Sequence, residues 1–168
     1  RILVLYDPSV LSLSPILSSR QYIHFHVLVC HNQISFYLTF VYADNSVISR
    51  NIFFNSLPPL RQSTHPWFVL GDFNSCFGYD DKQGGSPLLP RDLESINLAV
   101  YDSELILVNK SGAKFSWNNR SRSGVRIFTT IDHAFSNLQS LNLWPSLSVF
   151  LPQPIMFDHS PLILSFGN

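Results

Sequence analysis

The sequence predicts a single mixed α/β domain, and three observations support this class. With 168 residues, 45% of them hydrophobic and 14% aromatic, the chain is long enough to bury one substantial core. Segments patterned like strands occur together with segments whose apolar residues recur at helical spacing. No internal repeat and no low-complexity linker divides residues 1–168, so all of them are expected to form one domain.

The first third of the chain is rich in β-branched and aromatic residues, which favour strands. We expect strands at residues 2–6, 22–29 and 34–42, separated by turn residues. His24 and His26 lie two positions apart in the second of these, and therefore on one face. They could form a metal pair. Because no third ligand lies near them in the sequence, solvent-facing or edge-strand histidines are the favoured interpretation.

Two helices are predicted. Apolar residues recur at helical spacing from 46 to 57, where Pro58 and Pro59 end the segment. After a loop at 78–90, a second apolar stripe predicts a helix at 91–103.

The unbroken apolar run at 67–70 is typical of a strand buried on both faces. It ends at Gly71-Asp72-Phe73-Asn74, and polar residues at the end of a buried strand are a common place for a site. The remaining strands are expected at 115–117, 127–135, 148–151 and 161–166, with turn-rich residues at 118–124.

The composition excludes a strong electrostatic field around the protein as a whole. Only 13% of residues are charged and the formal net charge is +0, so polyanion binding requires a local patch. Cys30 and Cys76 have no metal-type spacing and fit buried, reduced thiols in an intracellular protein. No apolar run is long enough to span a bilayer, and the opening residues lack the pattern of a signal peptide.

A few polar residues stand against apolar neighbours: Asp72, Asn74, Asp132 and the pair Asp158-His159. Such groups are costly to bury unless they are paired, hydrogen-bonded or bound to a metal. In a chain with so few charges, aspartates at strand ends indicate a site. Each residue alone fits equally well a turn, a cap or a hydrogen bond to the backbone.

Four segments occur in the order seen in one superfamily: Val41-Tyr42-Ala43, Gly71-Asp72-Phe73-Asn74, Thr130-Ile131-Asp132 and Asp158-His159-Ser160-Pro161-Leu162. Together they resemble the endonuclease/exonuclease/phosphatase superfamily, which has the DNase-I-like fold. That resemblance implies a four-layer α/β sandwich of two packed β-sheets flanked by helices. Four further segments restrict the resemblance to one group within this superfamily. They are Pro66-Trp67, Gly84-Gly85, Phe115-Ser116-Trp117-Asn118 and the run from Ile131 to Asn137. These look like the endonuclease domain of plant LINE-type non-LTR retrotransposons, in which a nuclease precedes a reverse transcriptase.

The resemblance implies hydrolysis of a phosphodiester by water, assisted by Mg²⁺ or Mn²⁺. Asp72 matches the aspartate that orients or deprotonates the water, and Asn74 the amide that contacts the phosphate. Tyr42 matches a phenol that hydrogen-bonds the phosphate, and Asp158 a carboxylate at the metal and phosphate site. His159 matches the imidazole that donates to the phosphoryl oxygen, and Asp132 is its carboxylate partner.

The chain also departs from the family pattern. The metal-binding glutamate of the family lies upstream of the region that matches here. Glu94 and Glu104 both follow Asp72 in the sequence, so neither can replace this upstream glutamate. Asp7 lies early enough but is expected in a surface turn. The chain is therefore expected to be incomplete at its N-terminus, with an unpaired strand edge and marginal stability. Phe157 and His133 stand where the family tends to have a small residue and often an arginine.

DNA contact is expected at Arg120, Arg122 and Arg126, which lie in a loop beside Trp117 and could reach a groove. An ordinary solvated turn fits the same residues. The resemblance favours DNA as partner, a monomer, a reverse transcriptase domain in a longer parent protein and, for a working retroelement nuclease, the nucleus. Two alternatives stay open. A phosphatase acting on a small ester such as an inositol phosphate would need a basic pocket, which the sequence does not show. A non-catalytic remnant is favoured by the missing glutamate and the neutral charge.

Overall fold

The computed structural model describes residues 2–154 and 157–167, which contain three β-sheets and three α-helices. The strands, in chain order, are β1 Leu11–Ser18, β2 Tyr22–Val29, β3 Ser35–Tyr42, β4 Trp67–Asp72, β5 Lys82–Gln83, β6 Ile106–Leu107, β7 Lys110–Gly112, β8 Trp117–Asn118, β9 Phe128–Thr129, β10 Asp132–Ser136, β11 Ser148–Leu151 and β12 Ile163–Ser165. The helices are α1 Val47–Ser56, α2 Pro90–Asp102 and α3 Leu138–Leu143. Short 3-10 turns follow at Pro58–Leu60 and Tyr79–Asp81.

A six-stranded sheet in the order β1-β2-β3-β4-β10-β6 forms the centre of the fold. Its strands are antiparallel except for the β3–β4 pair, which is parallel and is connected through α1. Two three-stranded sheets accompany it, in the orders β12-β11-β7 and β5-β9-β8. The predicted α/β class, with packed sheets and flanking helices, is confirmed.

Both faces of the central sheet are covered, and side chains alternate between them with period two. On β4, Trp67 and Val69 join the core beneath α1 and α2, whereas Phe68 joins the core facing the sheet of β11 and β12. Aromatic side chains are prominent in both cores, and Phe53 and Phe54 of α1 are fully buried in the core beneath the helices. Strand β4 is therefore an interior strand, as its unbroken apolar run predicts.

Gly71 lets β4 approach β3 closely just before the polar end of the strand. Its φ is +136°, and a Cβ atom at this position would lie 2.1 Å from the Val41 carbonyl oxygen. Only glycine tolerates this backbone conformation and this contact. Asp72 is thus held directly beside the end of β3.

The prediction of a strand at residues 2–6 is wrong. These residues have no regular structure, and Leu3 and Leu5 are 83% and 84% exposed. A run of apolar residues becomes a strand only if a neighbour pairs its backbone groups, and none of the described residues does so here. Asp7 forms the expected surface turn, in which its carboxylate accepts the Ser9 backbone N–H at 2.8 Å.

The first strand is instead β1, where Leu11 and Leu13 alternate with serines. It lies at the edge of the central sheet, and its register shifts between Pro15 and Leu17. Proline is tolerated there because an edge strand needs to pair only one side of its backbone.

His24 is also not the solvent-facing or edge-strand residue that the sequence favoured. Strand β2 is interior, and His24 is only 2% exposed. Its Nδ1 lies 2.8 Å from the Thr39 hydroxyl, and its ring stacks on Tyr37 with centroids 5.5 Å apart. Burial lowers the pKa of His24 to about 4, so it is a neutral core residue. His26 is half-buried against Tyr37 on the same face.

Several other boundaries differ. The strand predicted at 127–135 is two strands, because β9 pairs with β5 and β8 while β10 pairs with β4 and β6. The strand predicted at 115–117 shifts to β8 at 117–118, and the one predicted at 161–166 shortens to β12. Helix α3, capped by Asn137, was not predicted. The loop predicted at 78–90 contains a 3-10 turn and β5. Cys76 is buried as expected, Cys30 is only half-buried, and both are free thiols. None of the described helices is long and apolar enough to cross a membrane.

Candidate active site

Three neighbouring strands bring Tyr42, Asp72 and Asp132 into one row. Tyr42 ends β3 and Asp72 ends β4, and the two are register partners in the parallel pair. Asp132 begins β10 and is the register partner of Asp72 in the antiparallel pair. Paired residues on adjacent strands lie on the same face within about 5 Å. Residues far apart in the sequence therefore meet at one end of the central sheet.

His159 reaches this row through β8. It forms an isolated bridge with Trp117, and the Ser160 N–H donates to the Ser116 carbonyl at 2.7 Å. The Ser116 hydroxyl also accepts the backbone N–H of Asp132 at 3.0 Å. This arrangement places His159 Nδ1 2.9 Å from Asp132 Oδ2.

The Asp132–His159 pair is the strongest electrostatic feature of the site. Asp132 is 9% exposed and His159 half-buried, so the pair is partly shielded from solvent. The hydrogen bond to Asp132 raises the pKa of His159, although burial opposes this effect. With Nδ1 engaged by the carboxylate, Nε2 is the ring nitrogen left to donate to a ligand.

Asp72 is a carboxyl group whose charge is disfavoured. Burial, and then the nearby charge of Asp132, raise the pKa of Asp72 to about 6. The Asn74 backbone N–H, 2.8 Å from Asp72 Oδ1, opposes this shift. A carboxylate with a pKa near neutral is suited to accept a proton from water.

Asn74 is fixed beside Asp72 by an unusual backbone conformation. Its φ is +46°, a region that asparagine enters more readily than most residues. Its side-chain nitrogen donates to the Ala43 carbonyl at 2.7 Å. The amide is thereby held at the mouth of the site.

An open cavity of about 410 Å³, which we call the active-site cavity, collects these groups. It is lined by Tyr42, Asn45, Asp72, Asn74, Trp117, Thr129, Ile131, Asp158 and His159. Asp132 lies behind His159. Six of the ten site residues predicted from the sequence thus line one cavity, and a seventh, Asp132, is hydrogen-bonded to one of them.

Asp72, Asp132 and His159 are the residues whose arrangement could hold a cation. One ligand atom from each lies within 4.8 Å of the others. Asp158, the predicted metal carboxylate, is exposed at the rim, where its Oδ2 accepts the Trp117 indole N–H at 3.2 Å. Its role as a metal ligand stays a prediction.

The predicted DNA-binding arginines lie in the loop between β8 and β9, and all three are exposed. Arg120, Arg122 and Arg126 line a separate cavity of about 550 Å³, which also includes Phe157. Trp117 is not part of that cavity but lies in the wall of the active-site cavity. Together with Arg120, Trp117 also lines a further cavity between these two.

Two features were missed or misplaced by sequence reasoning. Ser116 positions Asp132, and its only signal was its place in the segment Phe115-Ser116-Trp117-Asn118. His133, which stands at a position where the family often has arginine, is buried next to Phe77 with ring centroids 4.8 Å apart. It faces the core beneath the helices.

The layered α/β architecture is that of the DNase-I-like fold, as solved structures show. The endonuclease domain of TRAS1, a telomere-specific non-LTR retrotransposon, superposes with a TM-score of 0.72 at 12% identity, over 95% of this chain and 70% of that domain. An endonuclease/exonuclease/phosphatase from Bacteroides vulgatus gives 0.51 at 13% identity, over 85% and 53%. The mannosyl-6-phosphatase of Bacteroides thetaiotaomicron gives 0.50 at 15% identity, over 86% and 55%.

These similarities confirm the predicted fold. The chain spans about half the length of the two Bacteroides proteins. No protein-family model matches the chain, and no curated protein sequence matches it significantly.

Proposed function

We propose that this chain hydrolyses phosphate esters and that its substrate is the phosphodiester of DNA. One observation carries the proposal: the Asp132–His159 pair, at 2.9 Å, stands beside Asp72 in an open cavity. An imidazole whose pKa is raised by its carboxylate partner and a second carboxyl with a pKa of about 6 form a matched proton donor and acceptor.

Each residue has a distinct part in the reaction. Asp72 accepts a proton as water forms its bond to phosphorus, and the opposite P–O bond breaks to release an alkoxide, which takes a proton from solvent. His159 donates from Nε2 to a phosphoryl oxygen, where negative charge grows. Asn74 and Tyr42 orient the phosphate at the rim of the cavity. Asp132 holds the imidazole in position.

The donor set fits a hard divalent cation. Asp72 and Asp132 are adjacent carboxylates, and the charge of one raises the pKa of the other, so a cation at this place would relieve their repulsion. These two residues, with Asp158 at the rim, would hold Mg²⁺ or Mn²⁺. When bound, such an ion supplies neutralisation of the charge on the phosphoryl group.

Two features support DNA as the substrate. The exposed arginines 120, 122 and 126 offer contacts for backbone phosphates. The TRAS1 domain, which superposes with a TM-score of 0.72, is itself an endonuclease. In a retroelement of this kind, the expected setting is a longer parent protein with a reverse transcriptase domain, acting in the nucleus on the DNA target.

The test is nicking of supercoiled plasmid with Mg²⁺, with EDTA as the metal-free control. We expect nicking by the wild-type chain and by His31→Asn, and none by His159→Asn. His31 is the matched control because it is an exposed histidine in the β2–β3 turn, at the opposite end of the strands from Asp72. Equal activity of the two histidine variants would refute the assigned role of His159.

Two small substrates separate the alternatives. Bis(p-nitrophenyl) phosphate is a diester and p-nitrophenyl phosphate is a monoester. Faster hydrolysis of the monoester, without plasmid nicking, would indicate a phosphatase. A folded wild-type chain that hydrolyses none of the three substrates would be a non-catalytic remnant.

A further inference from the structure

A second cavity, of about 310 Å³, lies beside the active-site cavity and contains three cations. Arg50 comes from α1, Lys82 from β5 and Arg91 from the first turn of α2. We call it the lateral basic cavity. The two cavities adjoin, since both are lined by Asn74, Thr129 and Ile131. The sequence does not show this basic pocket, because three separate elements supply its charges.

The three cations outnumber the one carboxylate, Asp92, among the residues that line this cavity. None of the three cations forms a salt bridge within residues 2–154 and 157–167. The half-buried Arg50 guanidinium donates to the backbone oxygens of Asp44 and Asn45, both at 3.1 Å. Burial lowers the pKa of Arg50, while Asp44 and Asp72 oppose the shift. Asp92 also lines the cavity, but its carboxylate accepts a backbone N–H at the start of α2. An added anion would offset the desolvation of Arg50 and pair with the charges of Lys82 and Arg91.

Strand register connects this charge to the active site. Thr129 on β9 is the register partner of Lys82 on one side and of Trp117 on the other. Directly paired residues point to the same face of a sheet, so the three side chains form a row. Two strand spacings separate Lys82 from Trp117, or about 10 Å between backbones. A ligand beside Trp117 in the active-site cavity is therefore within reach of Lys82.

Positive charge continues beyond the active site. The cavity of Arg120, Arg122 and Arg126 connects to the active-site cavity through an intermediate one lined by Trp117, Arg120, Phe157 and Asp158. Six of the eleven lysines and arginines thus line two basic cavities that are connected through the active site. A chain of formal net charge +0 has concentrated its cations along one path.

We propose that the lateral basic cavity binds a second phosphate of a nucleic-acid strand whose neighbouring phosphodiester lies in the active-site cavity. The inference rests on the proposed function for the nature of the substrate. A strand fits better than a small polyphosphorylated ester, because the two basic cavities and those between them form a path longer than one small molecule.

The test compares wild-type chain with Lys82→Gln/Arg91→Gln. Arg50 is left intact because it supports the loop at Asp44 and Asn45. A fluorescent oligonucleotide of about 16 nucleotides, in EDTA, is titrated between about 50 and 200 mM NaCl. We expect the slope of log Kd against log salt to fall by about 0.7 to 0.9 in the variant, as for one lost phosphate contact. The control Arg61→Gln/Lys114→Gln removes equal charge outside these cavities and should keep the wild-type slope.

Activity separates the failure of this inference from failure of the proposed function. In the variant, hydrolysis of bis(p-nitrophenyl) phosphate should be unchanged, while the apparent KM for plasmid rises. A wild-type chain that hydrolyses nothing but shows the expected difference in slope would refute the hydrolase and leave the phosphate site standing. An unchanged slope in the variant, or no DNA binding by wild type, would overturn the inference. Tighter binding of inositol hexakisphosphate than of the oligonucleotide would also overturn it, in favour of a small polyphosphate.

Discussion

Replacing Asp72 by asparagine should stabilise the metal-free protein at neutral pH while abolishing hydrolysis. Asp72 is held where its charge is unfavourable, by burial and by Asp132, and its pKa is raised from 3.8 to about 6. Asparagine is nearly isosteric, and its side-chain oxygen still accepts the Asn74 backbone N–H. Removing the charge therefore removes a cost without opening a cavity.

The structure sets the size of this effect. A rise in pKa from 3.8 to about 6 corresponds to roughly 3 kcal/mol, at about 1.4 kcal/mol per pH unit. Solvent reaches part of the side chain and screens the interaction, so we expect about 1 to 2 kcal/mol. For a domain of this size, that is a rise in Tm of about 2 to 8 °C.

The pH dependence makes the test specific. A folded-state pKa above the unfolded value means that stability is greatest while Asp72 is protonated and is lost as the pH rises through about 6. The advantage of Asp72→Asn should thus be complete at about pH 7.5 and less than half as large at about pH 4.5. Thermal melts in EDTA measure it.

Asp158→Asn is the matched control. Asp158 is exposed, and its pKa is lowered, chiefly by a backbone hydrogen bond, so removing its charge should give no stabilisation at either pH. A gain from Asp72→Asn that is equal at both pH values, or a loss at about pH 7.5, would contradict the electrostatic reasoning. Added Mg²⁺ should raise the Tm of the wild-type chain and not that of Asp72→Asn.

Three further substitutions probe the fold and the site. His159→Asn should lower plasmid nicking by about 10²-fold or more; because the hydrogen bond to Asp132 raises the pKa of His159, its cost in Tm should be larger at about pH 6 than at about pH 9. Gly71→Ala should destabilise by more than about 3 kcal/mol in urea unfolding, while Gly78→Ala, whose Cβ would meet nothing closer than 4.0 Å, should be neutral. Asn137→Ala should cost about 3 kcal/mol or more in the same assay, since the buried amide bonds five backbone or hydroxyl groups.

The spacing of apolar residues correctly predicts those strands and helices that have the same side facing the core along their whole length. Strands β2 and β11 begin and end where the sequence predicts, and α1 and α2 differ by one residue at each end. Each of these elements packs against the core over most of its length. Apolar spacing alone then records which face is buried.

Elements that depend on a distant partner could not be located in this way. Strands β5, β6, β8 and β9 have two residues each, too few to show a period, and they exist because another strand lies beside them. Residues 2–6 show the reverse case, where a strand-like run has no described partner. His24 was misplaced for the same reason: its burial depends on β1 flanking β2, and β1 was not predicted.

The site was predictable in its members but not in its arrangement. The ordered motifs identified Asp72, Asp132 and His159, whereas the 2.9 Å contact between Asp132 and His159 depends on β8 and Ser116. The lateral basic cavity was invisible for a related reason. Arg50 and Arg91 lie on different helices, and no spacing in the sequence indicates that the two helices meet.

A neutral chain can still bind a polyanion if its charges are segregated. Eleven cationic and eleven acidic residues cancel in number, so long-range steering of DNA is not expected. Close to the protein surface, the net charge of the chain matters less than the positions of its individual charged groups, because salt screens charges beyond about 10 Å. With three cations in each of two cavities, a strand would meet mainly positive charge along its contact path. Binding governed by these short-range contacts should be weak at physiological salt and steeply salt-dependent, and any preference among DNA sites would then have to come from the shape of the DNA.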